Sequence, residues 1–339
     1  MPRLRRADCA EPGIRRVRRG RGFSYHEEDG TTIADPDTLE RIRELAIPPA
    51  WQEVWICPYP NGHIQATGID AAGRKQYLYH LKWRESRDRE KFDEMLEFAQ
   101  ALPSLRRRVL GDLRRRGLLR DRVLACAVRL LDLGFFRIGG ERYAEDNRTF
   151  GLATLRKRHL RFENGAAVFD YRAKGSKRQV LEVADEPSIK VLRALARRNG
   201  GGSDLLAYYE GRRWHDVRAD DVNAYLKVKA GGDFSSKDFR TWNATVLAAV
   251  GLASRMQDGE RPSRAQRRRW ANAVVKDVAG YLSNTPAVCR ASYIDPRVFD
   301  RFDSNATILD PVEQAIEEAE PQRFAVREKI EAAVIELLS

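Results

Sequence analysis

The spacing of apolar positions changes character along the chain and divides it in two. Asp35-Pro36 caps a predicted helix that runs to about Leu45, and Pro48-Pro49 end it. Three short β-like runs follow: VWIC at 54–57, HIQATG at 63–68 and KQYLYH at 75–80, with a polar turn from Asp70 to Gly73 between the last two. Isolated short strands are unstable, so residues 1–85 are predicted to form a small β-rich domain. From about Ser86 the period becomes helical. Phe92, Met95, Leu96, Ala99 and Leu102 recur at helical spacing, Pro103-Ser104 is expected to restart the chain, and Leu105, Val109, Leu110 and Leu113 continue the pattern. An apolar helix from about Arg120 to Leu133, ending at Gly134, reads as the buried centre of a second domain, residues 86–339.

Period two returns over residues 159–183. HLRFE and AAVFDYRA flank Asn164-Gly165, a strong hairpin signal, and a second reversal from Lys174 to Lys177 leads into RQVLEV. This predicts a three-stranded meander with Lys174 near an exposed tip. Helices are expected from Pro187 to Arg198, from Asp220 to Lys229, from a cap at Ser235 or Ser236 through Val250, and from Ser263 to Tyr281. Residues 311–337 read as a tail helix or helix pair that packs through Ala315, Ile316, Phe324, Ile330, Val334 and Leu337. The fold class is therefore α+β: a small β-rich N-terminal domain plus a larger, mainly α-helical domain holding a three-stranded β-meander.

Charge narrows the partner. Lys and Arg outnumber Asp and Glu by 61 to 49, a net charge of +12 over 339 residues, which points to a polyanion and first to nucleic acid. Residues 1–22 read as a basic arm, lying on DNA or fraying into solvent. The triplets Arg106 to Arg108 and Arg114 to Arg116 are expected on a wet helix face, as a DNA-facing stripe or as solvated charge. No apolar run approaches the ~20 residues of a membrane helix, and no apolar segment follows the basic N-terminus to make a secretory signal. Cys9, Cys57, Cys126 and Cys289 are scattered, the five histidines show no HExxH pattern, and no carboxylate cluster suits Mg²⁺. Neither a metal site nor a disulfide framework is expected, and a reducing cytoplasm fits.

Several polar residues stand where chemistry is feasible. Arg137 lies between bulky apolar residues and a glycine pair, an awkward place for a charge unless it is paired or reaches a ligand. Lys174 can reach a ligand from its turn or serve solubility there. Lys237 and Arg240, three apart, share one face near a predicted helix N-terminus, a favourable anion site. In LSNTPAVCRASY, residues 282–293, Asn284 and Tyr293 flank one helical turn begun by Pro286. A phenol titrates near ~10, so Tyr293 attacks a phosphodiester only with cations at the phosphate and an acid at the leaving oxygen. In the strand at 75–80, Gln76 and Leu78 take one face, and Tyr77 and Tyr79 the other, beside Arg74 and Lys75. Such a strand suits a DNA groove or an ordinary half-buried sheet.

Taken in order, FFRIGGERY, RAKGSK, KDFRTW and SNTPAVCRASY, together with PGIRRVRRGRGF, IPPAW and QATGIDAAGRKQYLYH, resemble the type IB DNA topoisomerases of the small bacterial and poxvirus-like branch over nearly the whole chain. The resemblance implies that Tyr293 is the nucleophile, forming a 3′-phosphotyrosine and releasing a 5′-hydroxyl. By the same resemblance Arg137 and Arg240 contact the non-bridging oxygens, Lys174 is the general acid, and Lys237 supports that proton transfer. Asn284 stands where many members have histidine; it can donate a hydrogen bond but carries no proton at neutral pH. Gln76, Tyr77 and Tyr79 match the strand that enters the major groove. The implied activity is relaxation of supercoiled duplex DNA by strand cleavage, rotation and religation without ATP, metal or other cofactor. The implied protein is a two-lobed monomeric clamp on duplex DNA, cytoplasmic at the nucleoid, with no membrane partner. Tyrosine recombinases share the nucleophile, but they usually carry HxxR where this chain has Lys237-Asp238-Phe239-Arg240, and a helical N-terminal domain where residues 54–80 read as strands. A non-catalytic DNA-binding protein fits the charge and leaves the Arg–Lys–Arg–Tyr set unexplained.

Overall fold

The computed structural model describes residues 3–134, 136–141, 148–256, 262–317 and 323–339, with side chains from 315 to 317 and 323 to 325 outside the description. The packing expected of Ala315, Ile316 and Phe324, and residues 135 and 142–147 of the FFRIGGERYAEDN stretch, thus lie outside the described residues. The chain forms two compact units, Met1–Asp93 and Glu94–Ser339.

The first unit holds a five-stranded antiparallel sheet in the order β2-β1-β3-β4-β5. Its strands are β1 (Ile14–Arg19), β2 (Gly22–His26), β3 (Gln52–Ile56), β4 (Ile64–Ile69) and β5 (Lys75–Tyr79). Helix α1 (Pro36–Glu44) starts as expected: Asp35 accepts from the Thr38 amide at 2.9 Å, and proline occupies the first helical position. Ile14, Ile42, Val54, Ile56 and Ala66 form the core, with Trp51 and Leu78 packed against it. The basic segment is therefore not an arm. Residues 14–26 are a hairpin turning at Gly20, whose φ of 57° suits glycine. The alternation is masked because Arg16 takes a structural position. Its guanidinium lies over the Phe23 ring at 4.2 Å and donates to the carbonyls of Ile47, Pro48 and Trp51 at 3.2, 3.1 and 2.8 Å.

Helix α2 (Leu81–Leu113) runs unbroken through Pro103, where a restart was expected. The missing N–H costs one helical bond, but Leu102, Leu105, Val109 and Leu113, each no more than 3% exposed, anchor the helix on both sides of it. In the second unit α3 (Arg120–Gly134) is the buried centre. Around it stand α4 (Glu186–Arg197), α5 (Ala219–Ala230), α6 (Ser236–Ala253), α7 (Arg264–Leu282), α8 (Pro286–Ser292), α9 (Arg297–Asp303), α10 (Leu309–Glu317) and α11 (Arg323–Leu338). The meander is present as β6 (Leu160–Glu163), β7 (Ala166–Arg172) and β8 (Arg178–Val183), with Asn164 and Gly165 both at positive φ in the first turn. A further hairpin, β9 (Ala207–Glu210) and β10 (Arg213–Asp216), turns at Gly211-Arg212, a less conspicuous signal than Asn-Gly. The α+β class expected from the sequence holds.

Arg106 is not on a wet face. It is 7% exposed and joins a buried ion network. Asp132 of α3 accepts from Arg106 and from Arg327 of α11, each at 2.9 Å, and Glu331 of α11 accepts from Arg106 at 2.9 Å. Arg129 donates to Asp185, the cap of α4, at 3.0 Å. Among the described residues no helix is long and apolar enough to cross a membrane, and no group of three or more His, Cys, Asp or Glu could hold a metal ion.

Candidate active site

The site begins where α7 stops. Ser283 adopts a left-handed conformation with φ of 53°, and the Asn284 amide turns back to the Ala279 carbonyl at 3.0 Å. Thr285 then caps α8, accepting from the Val288 amide at 3.3 Å, with Pro286 in the first turn. Tyr293 follows the last turn of α8, its amide bonded to the Cys289 carbonyl at 3.0 Å. Thr245 of α6, fully buried, sets the exit of this segment. Its Oγ1 lies 3.4 Å from the Tyr293 carbonyl oxygen and accepts from the Asp295 amide at 3.1 Å.

Two arginines meet at one backbone carbonyl beside this tyrosine. Arg240 sits in the second turn of α6, whose start is fixed by Ser235 and Asp238; the Ser235 amide donates to Asp238 at 2.7 Å. Its Nη2 donates to the Leu282 carbonyl at 2.8 Å, and its guanidinium carbon lies 5.4 Å from the Tyr293 ring centre. Arg137 donates to the same carbonyl at 3.3 Å and to the Asn284 side-chain oxygen. The first glycine of the pair after Arg137 has a steric reason. Gly139, at φ of 80°, packs so closely on Gly151 that a Cβ on either would fall within 3 Å of the other's backbone. With its oxygen occupied by Arg137, Asn284 presents its Nδ2, which is buried and has no hydrogen-bond partner among the described residues.

The electrostatics follow from this crowding. Burial, and then the charge of Arg137, push Arg240 down to about 10. Burial pushes the Tyr293 phenol up, but the charges and hydrogen bonds of Arg240 and Arg137 outweigh it and hold the phenol below its ordinary value. Tyr171 of β7 feels the same two arginines, yet burial dominates there and raises it to about 12. Of these two phenols only Tyr293 is biased toward phenolate. Beside Tyr171 opens a cleft of about 1110 Å³ lined by Arg148, Arg156, Arg172 and Arg178 among others.

Lys174 lies on the turn between β7 and β8, exposed, with Gly175 and Ser176 both at positive φ and the turn closed by the Ala173 amide on the Lys177 carbonyl at 2.7 Å. Lys237 is exposed in the first turn of α6. Among the described residues neither ammonium has a hydrogen-bond or ion-pair partner. Contacts thus join Arg137, Arg240, Asn284 and Tyr293, and no such contact joins either lysine to them.

In the first unit β5 is an edge strand. Tyr77 and Tyr79 point outward, each 41% exposed, with rings stacked at 6.1 Å and the Lys75 ammonium 5.7 Å from the Tyr77 ring centre. Gln76 is turned from that face and donates to Asp70 at 2.9 Å, which also accepts from Arg74 at 3.0 Å. The Arg74 hydrogen bond is the largest cause that holds Asp70 at about 2.

Sequence reasoning does not find the Leu282 carbonyl, Thr245, Tyr171 or the bond from the Ser283 hydroxyl to Gln179 of β8. A backbone acceptor carries no residue signal, and the others read as ordinary core, strand and turn residues.

Comparison with known proteins gives the family. Residues 80–319 match the family described as eukaryotic DNA topoisomerase I, catalytic core, and residues 22–70 match bacterial DNA topoisomerase IB, N-terminal domain. The chain is 28% identical over 299 residues to the DNA topoisomerase 1B of Acanthamoeba polyphaga mimivirus, covering 86% of this chain and 88% of that protein. It is 24% identical over 195 residues to the DNA topoisomerase 1 beta of Arabidopsis thaliana, covering 57% of this chain and 20% of that protein. With a catalytic-core match across most of its length and a bacterial N-terminal domain ahead of it, the chain belongs to the type IB DNA topoisomerases, a family of isomerases.

Proposed function

We propose that this protein relaxes supercoiled duplex DNA by cutting one strand through Tyr293, letting the cut strand rotate about the intact one, and resealing it. The observation that carries the reading is the meeting of Arg137 and Arg240 at the Leu282 carbonyl, beside a phenol they hold below its ordinary range. The phenol loses its proton to solvent, and Tyr293 Oη attacks the phosphorus. The new Oη–P bond forms as the P–O5′ bond breaks in line, leaving a 3′-phosphotyrosine. Arg137 and Arg240 take the growing charge on the non-bridging oxygens, and Asn284 Nδ2 adds a neutral donor. The leaving alkoxide needs a proton, which Lys174 supplies with support from Lys237; such acid catalysis is worth ~10²–10⁴-fold.

Religation is the reverse, and the phosphotyrosine keeps the bond energy, so no ATP is required. Arginine and lysine cations supply the charge compensation that a metal ion would otherwise give. Tyr77, Tyr79 and Lys75, with Arg74, are assigned to the major groove, where aromatic faces and cations have partners, and the Gln76 amide is assigned there when DNA takes it from its bond to Asp70. The net charge of +12 supports a duplex DNA partner, held by a monomeric clamp in the cytoplasm at the nucleoid.

Supercoiled plasmid, positive or negative, incubated with the protein in EDTA without ATP should yield relaxed topoisomers. Supercoils that survive long incubation with folded protein contradict the proposal.

A further inference from the structure

Ser283 is a non-glycine residue at φ of 53° in the turn that carries the site. A left-handed serine is held there by its surroundings. Its amide donates to the Gly280 carbonyl at 3.1 Å, and its hydroxyl donates to the Gln179 side-chain oxygen at 2.5 Å. The residues on either side are Leu282, whose carbonyl receives both arginines, and Asn284, whose oxygen receives Arg137. Gln179 lies in β8 opposite Tyr171, five positions after Lys174. The two strands leading to Lys174 are thus each tied to the phosphate site. From β7, the Arg172 carbonyl accepts from the Phe150 amide, in the segment after Arg137, at 2.7 Å. From β8, Gln179 accepts from Ser283.

We propose that Ser283 and Gln179 are positioning residues that set where the Lys174 ammonium stands relative to Tyr293. Neither touches the reacting atoms. Lys174 sits on a glycine-containing turn and is exposed, so its position depends on how the two strands are fixed. The Gln179–Ser283 bond is a side-chain tie of that pair, and it ends one residue from both arginine acceptors. The backbone bonds of Ser283, Asn284 and Tyr293 remain when it is cut, so the acid is expected to lose its position before the arginines, the asparagine and the tyrosine do. The inference rests on Lys174 acting as the general acid, and its test separates the two claims.

The test uses single-turnover cleavage of duplex substrates whose scissile phosphate carries either oxygen or sulfur at the 5′-bridging position. A thiol titrates near ~8.5, so a thiolate leaves without a proton, whereas an alkoxide does not. The variants are Ser283→Gly, which keeps the left-handed backbone and drops the hydroxyl, Gln179→Ala, and the pair combined. Each is expected to cleave the oxygen substrate about tenfold more slowly, a fraction of the ~10²-fold or more assigned to the acid itself, and the sulfur substrate at close to the native rate. The double variant is expected to be no slower than the slower single one, since both remove the same bond. Equal losses on oxygen and sulfur, or no loss on oxygen, would overturn the positioning role. Lys174→Ala is run beside them. If sulfur does not rescue Lys174→Ala, the acid assignment fails; if it rescues Lys174→Ala but not the Ser283 and Gln179 variants, only the present inference fails.

Discussion

Replacing Arg240 by glutamine is expected to stabilise the DNA-free protein while removing most of its activity. Arg240 is 5% exposed and shares the Leu282 carbonyl with Arg137. Burial, then its cationic neighbour, lower it from the ordinary arginine range to about 10. A base whose folded pKa lies below its unfolded value is harder to keep charged in the folded chain. That penalty is fully present at neutral pH and fades only as pH rises through about 10 toward the ordinary arginine range. A drop of that size below the ordinary arginine range corresponds to about 3 kcal/mol. Glutamine retains a donor but loses the charge-assisted bond and the longer stem, worth about 1–2 kcal/mol. The net gain is therefore about 1–2 kcal/mol, or roughly 2–8 °C in Tm for a unit of this size. Calorimetry of both proteins at pH 7 without DNA reads the stability, and cleavage of a duplex oligonucleotide reads the rate. The rate should fall about 10²–10³-fold, as for loss of one preorganised donor. Duplex DNA should raise the Tm of the native protein more than that of the variant. An Arg240→Gln protein that melts well below the native one would refute the reasoning, because its contacts would then outweigh the burial of its charge.

Tyr293→Phe should still shift duplex DNA in a gel but form no covalent adduct; an adduct trapped in that variant would place the nucleophile elsewhere. Because Arg240 and Arg137 together overcome burial at the phenol, the cleavage rate should rise with pH to a midpoint below 10. Arg137→Ala should move that midpoint upward, and a native midpoint at or above 10 would contradict the assignment. Asn284→Ala should slow cleavage about tenfold, the worth of one hydrogen bond, and total inactivity of the folded variant would show a larger role. Asp132→Ala strips the buried carboxylate from Arg106, Arg129 and Arg327 and should cost about 3–5 kcal/mol in urea unfolding; a loss under about 1 kcal/mol would mean that the network is not a structural anchor.

The elements that are legible in the chain are those whose cause is local. Asp35 and Pro36 start α1, Ser235 with Asp238 and Ser263 with Gln266 start α6 and α7, and Asn164-Gly165 turns the meander. Each of these signals acts within a few residues. Where a local signal misleads, a distant partner has taken over. Pro103 does not break α2 because apolar residues on both sides of it are buried. The Arg-rich segment from 14 to 19 is a strand because Arg16 satisfies three carbonyls more than thirty positions away.

The same division holds for the candidate site. The sequence alone determines that Arg137, Lys174, Lys237, Arg240, Asn284 and Tyr293 are present in that order, with the capped helix and hairpin that carry them. Only the tertiary structure decides that Arg137 and Arg240 meet at the Leu282 carbonyl, that Asn284 accepts from Arg137, and that Thr245 lies under Tyr293. It also decides which charges leave water. Arg106 and Arg107 are neighbours of one type, yet Arg106 is buried against acids 26 and 225 positions away while Arg107 is exposed. Helical period and capping set a residue's direction over one or two turns. Its dielectric surroundings and partners, which set the pKa of Tyr293 and Arg240, come from segments that only folding brings together.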